Sequence, residues 1–436
     1  MAHRHVRMRP VGKGDKAAVL GAGRSGMAAL KLLCRLGAQT RLLERDERKI
    51  QAETRAFIEQ NKVELICGEH APHHFAELDF LVLSPGIPVA KISPLLPDSL
   101  AERPELLAEM ELAWRQLRGE PVLAVSGTSG KTTTASLAAA MLRQQGLSVF
   151  LGGNIGTPLS EYVLDGRLAD VLVLEISSFQ LQTCSSFHPK VSVLLNISEN
   201  HLDYHADIRE YIEAKFRLFR WQDEGDLAVL GRGLEPLVKR MPIRARQIYF
   251  APCGRFSQAQ LFGEHNQANM EAAYQACREF GIPEERAAQA VSAFKPLPHR
   301  LERVGEREGV LFVNDSKCTT MTALKVALES FDRPVRLLAG GKFKGGDLAS
   351  LRALVEERVH VVGLFGAGRE YFEQAWQDLV PMNWSPALEE AVRVLAAGAR
   401  AGDVVLLAPA AASFDQYANY EERGNDFKRI VKELLS

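Results

Sequence analysis

The sequence predicts an α/β protein of three domains, and three observations support that fold class. The chain has 436 residues, more than one ordinary hydrophobic core accommodates. Short apolar runs alternate with helical stretches along its whole length, a pattern typical of parallel α/β sheets. Segments 118–121 and 295–298 contain proline or glycine and interrupt that pattern, which indicates linkers. We therefore expect domains at residues 1–110, 111–297 and 298–436.

The apolar runs predict strands in three groups along the chain. The first group is 17–20, 40–43 and 80–83, and the second is 122–125, 170–174 and 191–195. The third group is 336–338, 360–365 and 403–407. Each strand of the first group ends in a turn signal, as expected where a strand passes into a crossover helix.

Composition excludes several classes of function. The 53 basic and 54 acidic residues give a net charge of -1, so no global field favours nucleic acid or an anionic membrane. No window approaches the ~20 unbroken apolar residues of a membrane span. The first ten residues lack the apolar stretch of a signal peptide, and we expect them to be disordered. Six scattered cysteines without a C-x-x-C pair favour reduced thiols in the cytoplasm.

A glycine-containing turn after the strand 122–125 has the composition of a phosphate-binding loop. A helix is predicted to follow it, over 133–145. A strand, a glycine turn and a helix N-terminus aim backbone N–H groups at one point, which suits a phosphate. The alternative is a plain turn with a surface lysine. The candidate phosphate-binding residues are Gly127, Thr128, Ser129, Gly130, Lys131, Thr132 and Thr133.

Two further polar residues follow predicted strands of the same group. Glu175 ends the strand 170–174, and His201 lies shortly after 191–195. Because the carboxyl ends of parallel strands form α/β sites, a carboxylate there could hold a hard cation beside phosphates. Taken alone, a glutamate at a strand end is more often solvated, and a loop histidine more often has no ligand role, so both alternatives remain open from these residues.

Lys215 lies where a charged side chain is unusual. Asp207 and Glu210 form a capping box, so a helix should begin at Ile208. Its buried stripe includes Tyr211, and Lys215 falls on that same stripe. A lysine there needs either a snorkelling stem or a partner for its charge.

A second glycine turn, G-x-G-x-x-G at 21–26, follows the first predicted strand. Glu44 ends the second strand, 18 residues after Gly26. By motif alone this is a dinucleotide fingerprint, and a nicotinamide-dependent oxidoreductase is one reading. The separate phosphate loop at 127–132 argues against it.

Taken in order, these motifs resemble the Mur ligase family over nearly the whole chain after residue 16. Segment 127–132 is similar to the family's G-T-N-G-K-T, with Ser129 in place of the asparagine. The E-x-S-S-F-Q-L at 175–181, Y-x-x-A-K at 211–215, H-N-x-x-N at 265–269 and P-H-R at 298–300 also match. Segments 314–320 and 413–427 resemble the branch that adds D-glutamate, although Thr320 replaces an asparagine.

The resemblance implies a fold and an activity. The three domains would be a Rossmann-like UDP-binding domain, a central P-loop ATPase-like domain and a C-terminal Rossmann-like domain. The activity would be ATP-dependent amide ligation of D-glutamate to UDP-N-acetylmuramoyl-L-alanine through an acyl phosphate, in cytoplasmic peptidoglycan precursor synthesis. ATP and two Mg²⁺ would be required, and a monomer is expected. The alternatives are a UDP-sugar-binding pseudoenzyme and a ligase with another acceptor amino acid.

The resemblance also implies roles for individual residues. Catalysis would involve Lys131, Glu175, His201 and Lys215, and the metal ligands would be Thr132, Glu175, His201 and carbamylated Lys215. Besides the loop, ATP would contact Asn266, Asn269, Arg300, Asp315 and Lys317. The UDP substrate would contact Gly23, Arg24, Ser25, Glu44, Arg45, Ser84, Asn154, Ser177 and His201. D-glutamate would contact Thr319, Lys344, Ser413 and Tyr420, with a helix N-terminus expected near Ser413.

Overall fold

The computed structural model describes residues 9–99, 101–198, 204–256, 258–259 and 261–436. Their contacts divide the chain into two compact units. The first unit comprises 1–253 and 268–291, and the second comprises 254–267 and 292–436. The first unit contains two sheets and the second contains one, so the predicted α/β class with three sheets is confirmed. The expected domain boundaries near 110 and 297 stay a prediction.

The first sheet is parallel throughout and has the strand order β3-β2-β1-β4-β5. Its strands are β1 Lys16–Leu20, β2 Gln39–Glu44, β3 Glu64–Cys67, β4 Phe80–Leu83 and β5 Glu105–Ala108. Its helices are α1 Arg24–Leu36, α2 Ala52–Gln60, α3 Val89–Ile92 and α4 Glu109–Trp114. All three predicted strands of this group are present. The sequence did not indicate β3 and β5, which have four residues each and are only partly buried.

The second sheet is also parallel and has the order β11-β10-β9-β6-β8-β7. Its strands are β6 Val122–Ser126, β7 Val149–Gly153, β8 Val171–Glu175, β9 Val191–Leu194, β10 Leu227–Gly231 and β11 Arg246–Phe250. The helices that follow these strands are α5 Lys131–Gln144, α6 Leu159–Asp165, α7 Ser178–Gln182, α8 Ile208–Phe216, α9 Glu235–Arg240, α10 Glu264–Cys277 and α11 Glu284–Ala293. α5 begins two residues before the predicted start because Gly130 caps it in the left-handed conformation.

The sheet of the second unit has the order β12-β13-β17-β14-β15-β16, and only β12 is antiparallel to its neighbour. Its strands are β12 Glu302–Arg307, β13 Val310–Asn314, β14 Val335–Gly340, β15 Val359–Phe365, β16 Met382–Ser385 and β17 Val404–Leu407. Its helices are α12 Met321–Glu329, α13 Arg352–Arg358, α14 Arg369–Trp376, α15 Leu388–Ala397 and α16 Tyr420–Leu435. The helix expected near Ser413 was wrong: α16 begins at Tyr420, because the Asn419 side chain caps it by accepting from Glu422 N.

The central strands explain the continuous apolar runs of the sequence. Every residue of β6, β8 and β9 is buried, since helices cover both faces of a parallel sheet. Two of these strands, β6 and β8, end in a polar residue at the carboxyl edge, and those residues, Ser126 and Glu175, are also buried. Buried polar groups at that edge need partners, and those partners define the site described below. None of the helices within the described ranges has the length and apolarity that a bilayer crossing requires.

One buried carboxyl group joins the helices of the two sheets in the first unit. Glu109 opens α4, and its Oε1 accepts a hydrogen bond of 2.6 Å from Ser160 N at the start of α6. Its Oε2 makes no hydrogen bond within the described residues. Burial raises the pKa of Glu109 to about 7. Glu109 is therefore protonated in the folded chain at pH values where the unfolded chain has lost that proton.

Replacing Glu109 by glutamine should change the pH dependence of stability. Between an unfolded pKa of about 4.3 and the folded pKa of about 7, the folded state holds the extra proton, so the free energy of unfolding falls as pH rises. Glu109→Gln keeps an acceptor for Ser160 N and does not ionise. It should raise the free energy of unfolding by about 1–3 kcal/mol at pH 8 and much less at pH 5, measured by urea unfolding. Glu102→Gln, at an exposed position, is the control; an equal gain at both pH values for Glu109→Gln would contradict this assignment.

Candidate active site

The phosphate loop connects β6 to α5, and its backbone permits only glycine at two positions. Gly127 and Gly130 have φ angles of +155° and +83°. A Cβ on Gly130 would lie 2.3 Å from Asn269 Oδ1, so a side chain is excluded by contact as well as by conformation. The first turn of α5 contains no acidic residue. The positive dipole end of α5 therefore faces the loop, and its own first turn brings no carboxylate to compete with an anion.

Lys131 folds back over this loop. Its Nζ donates hydrogen bonds to Gly127 O at 3.0 Å and to Thr128 O at 2.9 Å. Thr132 and Thr133 follow it in the first turn of α5, half-buried, while Ser129 is exposed at the tip of the loop. The loop thus combines backbone donors with one mobile cation, the combination expected of a site for a nucleotide phosphate.

Asn196 holds the tip of the loop, and the sequence analysis did not single it out. Its Oδ1 accepts from Ser129 N at 2.9 Å, and its Nδ2 donates to Ser129 O at 3.3 Å. Its own carbonyl oxygen accepts from Thr128 N at 3.0 Å. Asn196 lies two residues after the last residue of β9. The sequence signal for this contact is an asparagine placed just beyond a buried strand, at the edge where the phosphate loop also lies.

Helix α8 is tied to the loop through Thr128. The Thr128 hydroxyl shares a hydrogen bond of 2.9 Å with Tyr211 OH, and it accepts from Ser198 N at 3.0 Å. As predicted, α8 begins at Ile208, with the Asp207 side chain accepting from Glu210 N. The reciprocal arm differs from the expected capping box, because Glu210 Oε2 accepts from Ala206 N. Tyr211 therefore fixes the helix that carries Lys215 against the phosphate loop.

Lys215 is 1% exposed, and its amine lies under the same loop. Nζ donates to Gly127 O at 2.8 Å and to Ser126 Oγ at 3.5 Å, and it lies 4.8 Å from the centroid of the Tyr211 ring. Burial, the largest cause, and the charge on Lys131 together lower the pKa of Lys215 to about 6, against the opposing effect of Glu175. The stem does not snorkel to solvent, and the amine is largely neutral at pH 7.

Glu175 ends β8 with one oxygen held and the other open. Its Oε1 accepts from Asn154 Nδ2 at 2.7 Å, and Asn154 N donates to Glu175 O at 2.8 Å. The side chain is 2% exposed, and Oε2 has no hydrogen-bond partner within the described residues. A buried carboxylate oxygen without a partner is costly, so its position points to a ligand cation. Ser177, close by in sequence, is used to cap α7: its Oγ donates to Gln180 Oε1 and accepts from Gln180 N.

The histidine predicted as a metal ligand, His201, lies outside the described residues. Nearby, His205 is buried, and its Nε2 lies within hydrogen-bond distance of Ser178 Oγ, at 2.9 Å. In the part of the chain that the structure describes, no three His, Cys, Asp or Glu side chains form a metal-binding group. The set of Thr132, Glu175, His201 and Lys215 therefore stays a prediction.

Side chains from two neighbouring strand ends form hydrogen bonds to the turn at 21–26. A Cβ on Gly26 would lie 1.9 Å from Gly21 O, so this glycine permits the close approach of α1 to β1. Ser84 Oγ donates to Gly21 O at 3.1 Å. Buried Glu44 accepts from Ala22 N at 2.8 Å through Oε2. Burial alone would raise the pKa of Glu44, yet hydrogen bonds from backbone N–H groups hold that pKa below its usual value.

The other donor-site candidates surround the same turn. Gly23 caps α1 without a side chain, and the first turn of α1 contains no acidic residue. Arg24 is exposed and Ser25 is half-buried. Arg45 forms a surface ion pair with Glu69. The turn thus offers backbone donors and the exposed Arg24 to an anion, while Glu44 accepts from the backbone.

The residues near the 295–298 segment that are predicted to contact ATP differ in their surroundings. Asp315 follows β13, and its Oδ1 accepts from Leu301 N at 3.2 Å. Burial raises the pKa of Asp315 to about 7. Lys317 Nζ lies 3.7 Å from the centroid of the Tyr420 ring, a cation–π contact that joins a nucleotide candidate to an acceptor candidate. Arg300 is exposed.

The two asparagines at 266 and 269 are both within the first two turns of α10. Asn266 Nδ2 donates to Phe262 O at 2.7 Å. Asn269 Oδ1 accepts from Thr134 Oγ1 at 3.3 Å, and it is the atom that a side chain at Gly130 would strike. Asn269 therefore packs against the phosphate loop.

Three of the residues predicted to contact D-glutamate, Ser413, Lys344 and Thr319, lie in the second unit. Ser413 is buried, and its carbonyl oxygen accepts from Tyr417 N at 2.9 Å. Lys344 is exposed, with Nζ 5.5 Å from the Phe414 ring. Thr319 is half-buried. Thr320 caps α12 by accepting from Ala323 N at 3.3 Å, which accounts for a hydroxyl residue at that position.

Cys318 is 1% exposed, and burial raises the pKa of its thiol well above the usual value. Its Sγ contacts Thr320 O at 4.0 Å, and its own carbonyl oxygen accepts from Ala410 N. A reactive thiol needs an accessible thiolate, so Cys318 acts as a small inert core residue.

Comparison with known proteins identifies the family. Three family descriptions match in order: a Mur ligase MurD-like N-terminal domain at 15–98, a Mur ligase middle domain at 125–247, and a Mur ligase glutamate ligase domain at 299–411. A UDP-N-acetylmuramoylalanine--D-glutamate ligase of Desulfovibrio desulfuricans is 64% identical over the full length of both chains. A protein of the same name from Nitratidesulfovibrio vulgaris is 62% identical over 98% of each chain.

The chain belongs to the Mur ligase family.

A solved structure supports the same fold for this Mur ligase. The MurF ligase from Thermotoga maritima, in complex with ADP, superposes with a TM-score of 0.60 at 19% identity, covering 97% of this chain and 96% of that one. At such low identity the likeness concerns the fold alone. The turns, strand ends and α8 described above are thus features of a Mur ligase fold.

Removing the Asn196 side chain should weaken nucleotide binding by this Mur ligase. Asn196→Ala eliminates two hydrogen bonds to Ser129 and keeps the backbone bond from Thr128 N. We expect affinity for ADP to fall about tenfold, measured by titration calorimetry, because the free loop becomes less ordered. The melting temperature should change little, since Asn196 is exposed.

Asn61→Ala is the matched control for this variant, because that exposed side chain donates to Phe57 O of α2, far from the phosphate loop in the sequence. An unchanged ADP affinity in Asn196→Ala would show that the glycines and Lys131 order the loop without it.

Proposed function

We propose that this Mur ligase joins D-glutamate to UDP-N-acetylmuramoyl-L-alanine and uses ATP as the energy source. The observation that carries the proposal is the phosphate loop stacked over a buried lysine and a half-satisfied carboxylate, Lys215 and Glu175. The choice of D-glutamate is supported by the name of the relative that is 64% identical over the whole chain. The match to a glutamate ligase domain at 299–411 agrees with it.

The proposed reaction has two steps. A carboxylate oxygen of the L-alanyl group attacks the γ-phosphorus of ATP, a new O–P bond forms, and the bond to the ADP oxygen breaks. The amine of D-glutamate then attacks the acyl carbon and loses a proton, and phosphate leaves with the electron pair of the C–O bond. No side chain of the protein needs to act as a nucleophile, so orientation and charge stabilisation supply the catalysis.

The residues of the loop have a direct part in the first step. Lys131 carries its charge on a flexible stem beside the N-terminus of α5, and its present partners are loop carbonyl groups that a phosphate oxygen could replace. Asn196 orders the loop by accepting hydrogen bonds from Thr128 N and Ser129 N. Lys131 and the positive end of α5 would offset the negative charge that accumulates on the transferring phosphoryl group.

Two Mg²⁺ would fit this site, held by Thr132, Glu175, His201 and carbamylated Lys215. The fit rests on Glu175 Oε2, a buried oxygen without a hydrogen-bond partner in the described residues, and on the half-buried Thr132 hydroxyl. Hard cations prefer such oxygen ligands. Bound magnesium would neutralise phosphate charge. His201 enters by family resemblance only.

Carbamylation of Lys215 is supported by its surroundings. The amine is buried and donates to a carbonyl oxygen, and burial disfavours its ammonium form. A neutral amine can attack CO₂, forming an N–C bond and releasing one proton. The product is a carboxylate whose remaining N–H can still donate to Gly127 O, and its two oxygens would serve as metal ligands.

The remaining assignments belong to the same proposal. The donor would lie at Gly23, Arg24, Ser25, Glu44, Arg45, Ser84, Asn154, Ser177 and His201. Further ATP contacts would come from Asn266, Asn269, Arg300, Asp315 and Lys317. The acceptor would lie at Thr319, Lys344, Ser413 and Tyr420. We also propose that the protein works as a monomer in the cytoplasm, in peptidoglycan precursor synthesis.

Phosphate release tests the function. With ATP, Mg²⁺ and UDP-N-acetylmuramoyl-L-alanine, release should require an added amino acid and should favour D-glutamate over L-glutamate by about 10²-fold or more, because buried polar groups discriminate geometry. Lys131→Ala is the negative control, because it removes the charge proposed to stabilise the transferring phosphoryl group. ATP turnover independent of donor and amino acid would favour the pseudoenzyme alternative, and equal use of both enantiomers would indicate another acceptor.

Substitution of Lys215 separates the carbamate from an ordinary cation. Lys215→Ala and Lys215→Arg should both lower turnover by on the order of 10²-fold, since neither supplies the carbamate oxygens. Acetate should partly restore Lys215→Ala only, by occupying the vacated oxygen position. Depletion of bicarbonate should lower the activity of the native chain, and a mass increase on Lys215 should accompany the active state.

Lys239→Arg, on α9, is the matched control and should behave like the native chain. A Lys215→Arg variant that retained most activity with the same Mg²⁺ dependence would refute the carbamate.

A further inference from the structure

A surface cavity in the first unit is lined by apolar and basic residues, and none of its lining residues belongs to the phosphate loop. It has a volume of about 340 Å³ and is formed by the end of α8 with the turn after it, and by the segment between α9 and β11. Its apolar lining includes Phe216, Phe219 and Ile243, each less than 10% exposed. Ligand pockets usually measure about 300–1,000 Å³, so the cavity has room for one small molecule.

Three arginines line this cavity against a single carboxylate. Arg217, Arg220 and Arg244 contribute from both segments, and Glu213 is the acidic residue among the lining residues. None of the three arginines forms an ion pair with any described residue, although ion pairs are common over the rest of the surface. The lining therefore carries three exposed guanidinium groups against one carboxylate, a net charge of two positive units.

The hydrogen bonds of these arginines leave donors available. Arg217 Nη1 donates to Gln182 O at 2.8 Å, which orients one guanidinium group. Arg220 lies 5.6 Å from the centroid of the neighbouring Trp221 ring. A guanidinium group has five N–H donors and binds carboxylate or phosphate oxygens in pairs.

We infer that this arginine pocket, defined by Phe216, Arg217, Phe219, Arg220, Ile243 and Arg244, binds a small organic anion. The occupant would have a flat apolar body, to cover the two phenylalanine rings, and one carboxylate, phosphate or sulfonate group for the arginines. The cavity volume and its confinement to two short segments favour a small molecule over an acidic peptide, which would need an extended groove. The inference goes beyond the proposed function and uses none of its catalytic residues.

The pocket shares helix α8 with the active site. Phe216 follows Lys215 directly in α8, and Tyr211 of the same helix holds Thr128 of the phosphate loop. An occupant packed on Phe216 therefore contacts the one helix that positions the buried lysine. An anion pocket here has the placement of an effector site.

Fluorescence titration with 8-anilinonaphthalene-1-sulfonate tests the pocket, because this dye has a flat apolar body and one anionic group. The full chain is titrated with excess ADP present, so that the phosphate loop is occupied. The double variant Arg220→Gln, Arg244→Gln should bind the dye about tenfold more weakly, since two charge-assisted contacts are lost. The uncharged dye N-phenyl-1-naphthylamine should bind the native chain more weakly than the sulfonate and should not distinguish the variants.

Arg209→Gln, Arg286→Gln is the matched control, because both positions are exposed arginines of the same unit outside the pocket. Met241→Trp, which narrows the cavity and keeps every arginine, should weaken both dyes. Phosphate release by the two double variants should equal that of the native chain. Unchanged dye affinity in the Arg220, Arg244 variant, or an equal loss in the control, would overturn the inference.

Discussion

Two lysine side chains donate to one carbonyl oxygen, that of Gly127, and the geometry of the active site depends on this sharing. Lys131 approaches from α5 at 3.0 Å and Lys215 approaches from α8 at 2.8 Å. Burial and the neighbouring charge of Lys131 both lower the pKa of Lys215. The shared carbonyl group thus links the half-buried lysine of the loop to the buried amine of α8.

Three neighbouring strands of the second sheet position the residues around that carbonyl group. β6 brings the loop to the carboxyl edge, β9 brings Asn196 to its tip, and β8 brings Glu175 alongside. The loop has few contacts of its own because glycine supplies no side chain, so its order comes from neighbours in distant parts of the sequence. The turn at 21–26 follows the same principle with a different partner, since Glu44 accepts from Ala22 N where the phosphate loop relies on an amide. In both turns a polar side chain at a neighbouring strand end orders a glycine-rich backbone.

The sequence was sufficient where local pattern and burial agree. Continuous apolar runs predicted the central strands, and the burial of Lys215 followed from its place on the stripe of α8. What escaped prediction depends on contacts between residues far apart in the chain. Asn196 contacts a loop 67 residues away, and Glu109 contacts Ser160, 51 residues away. No local pattern encodes such pairs. Thr320 was read as a departure from a motif, whereas its hydroxyl caps a helix, and α16 began later than expected because Asn419 caps it.

The pairing of Glu175 with Asn154 has a consequence for ion selectivity. Asn154 occupies Oε1, so this carboxylate has a single oxygen to offer. Chelation by both oxygens, which larger cations such as Ca²⁺ readily accept, is thereby disfavoured. One oxygen suits Mg²⁺, which keeps most of its own water and takes one or two carboxylates besides phosphate. If Glu175 holds the proposed Mg²⁺, the amide that steadies its carboxylate would therefore favour Mg²⁺ over Ca²⁺ at this position.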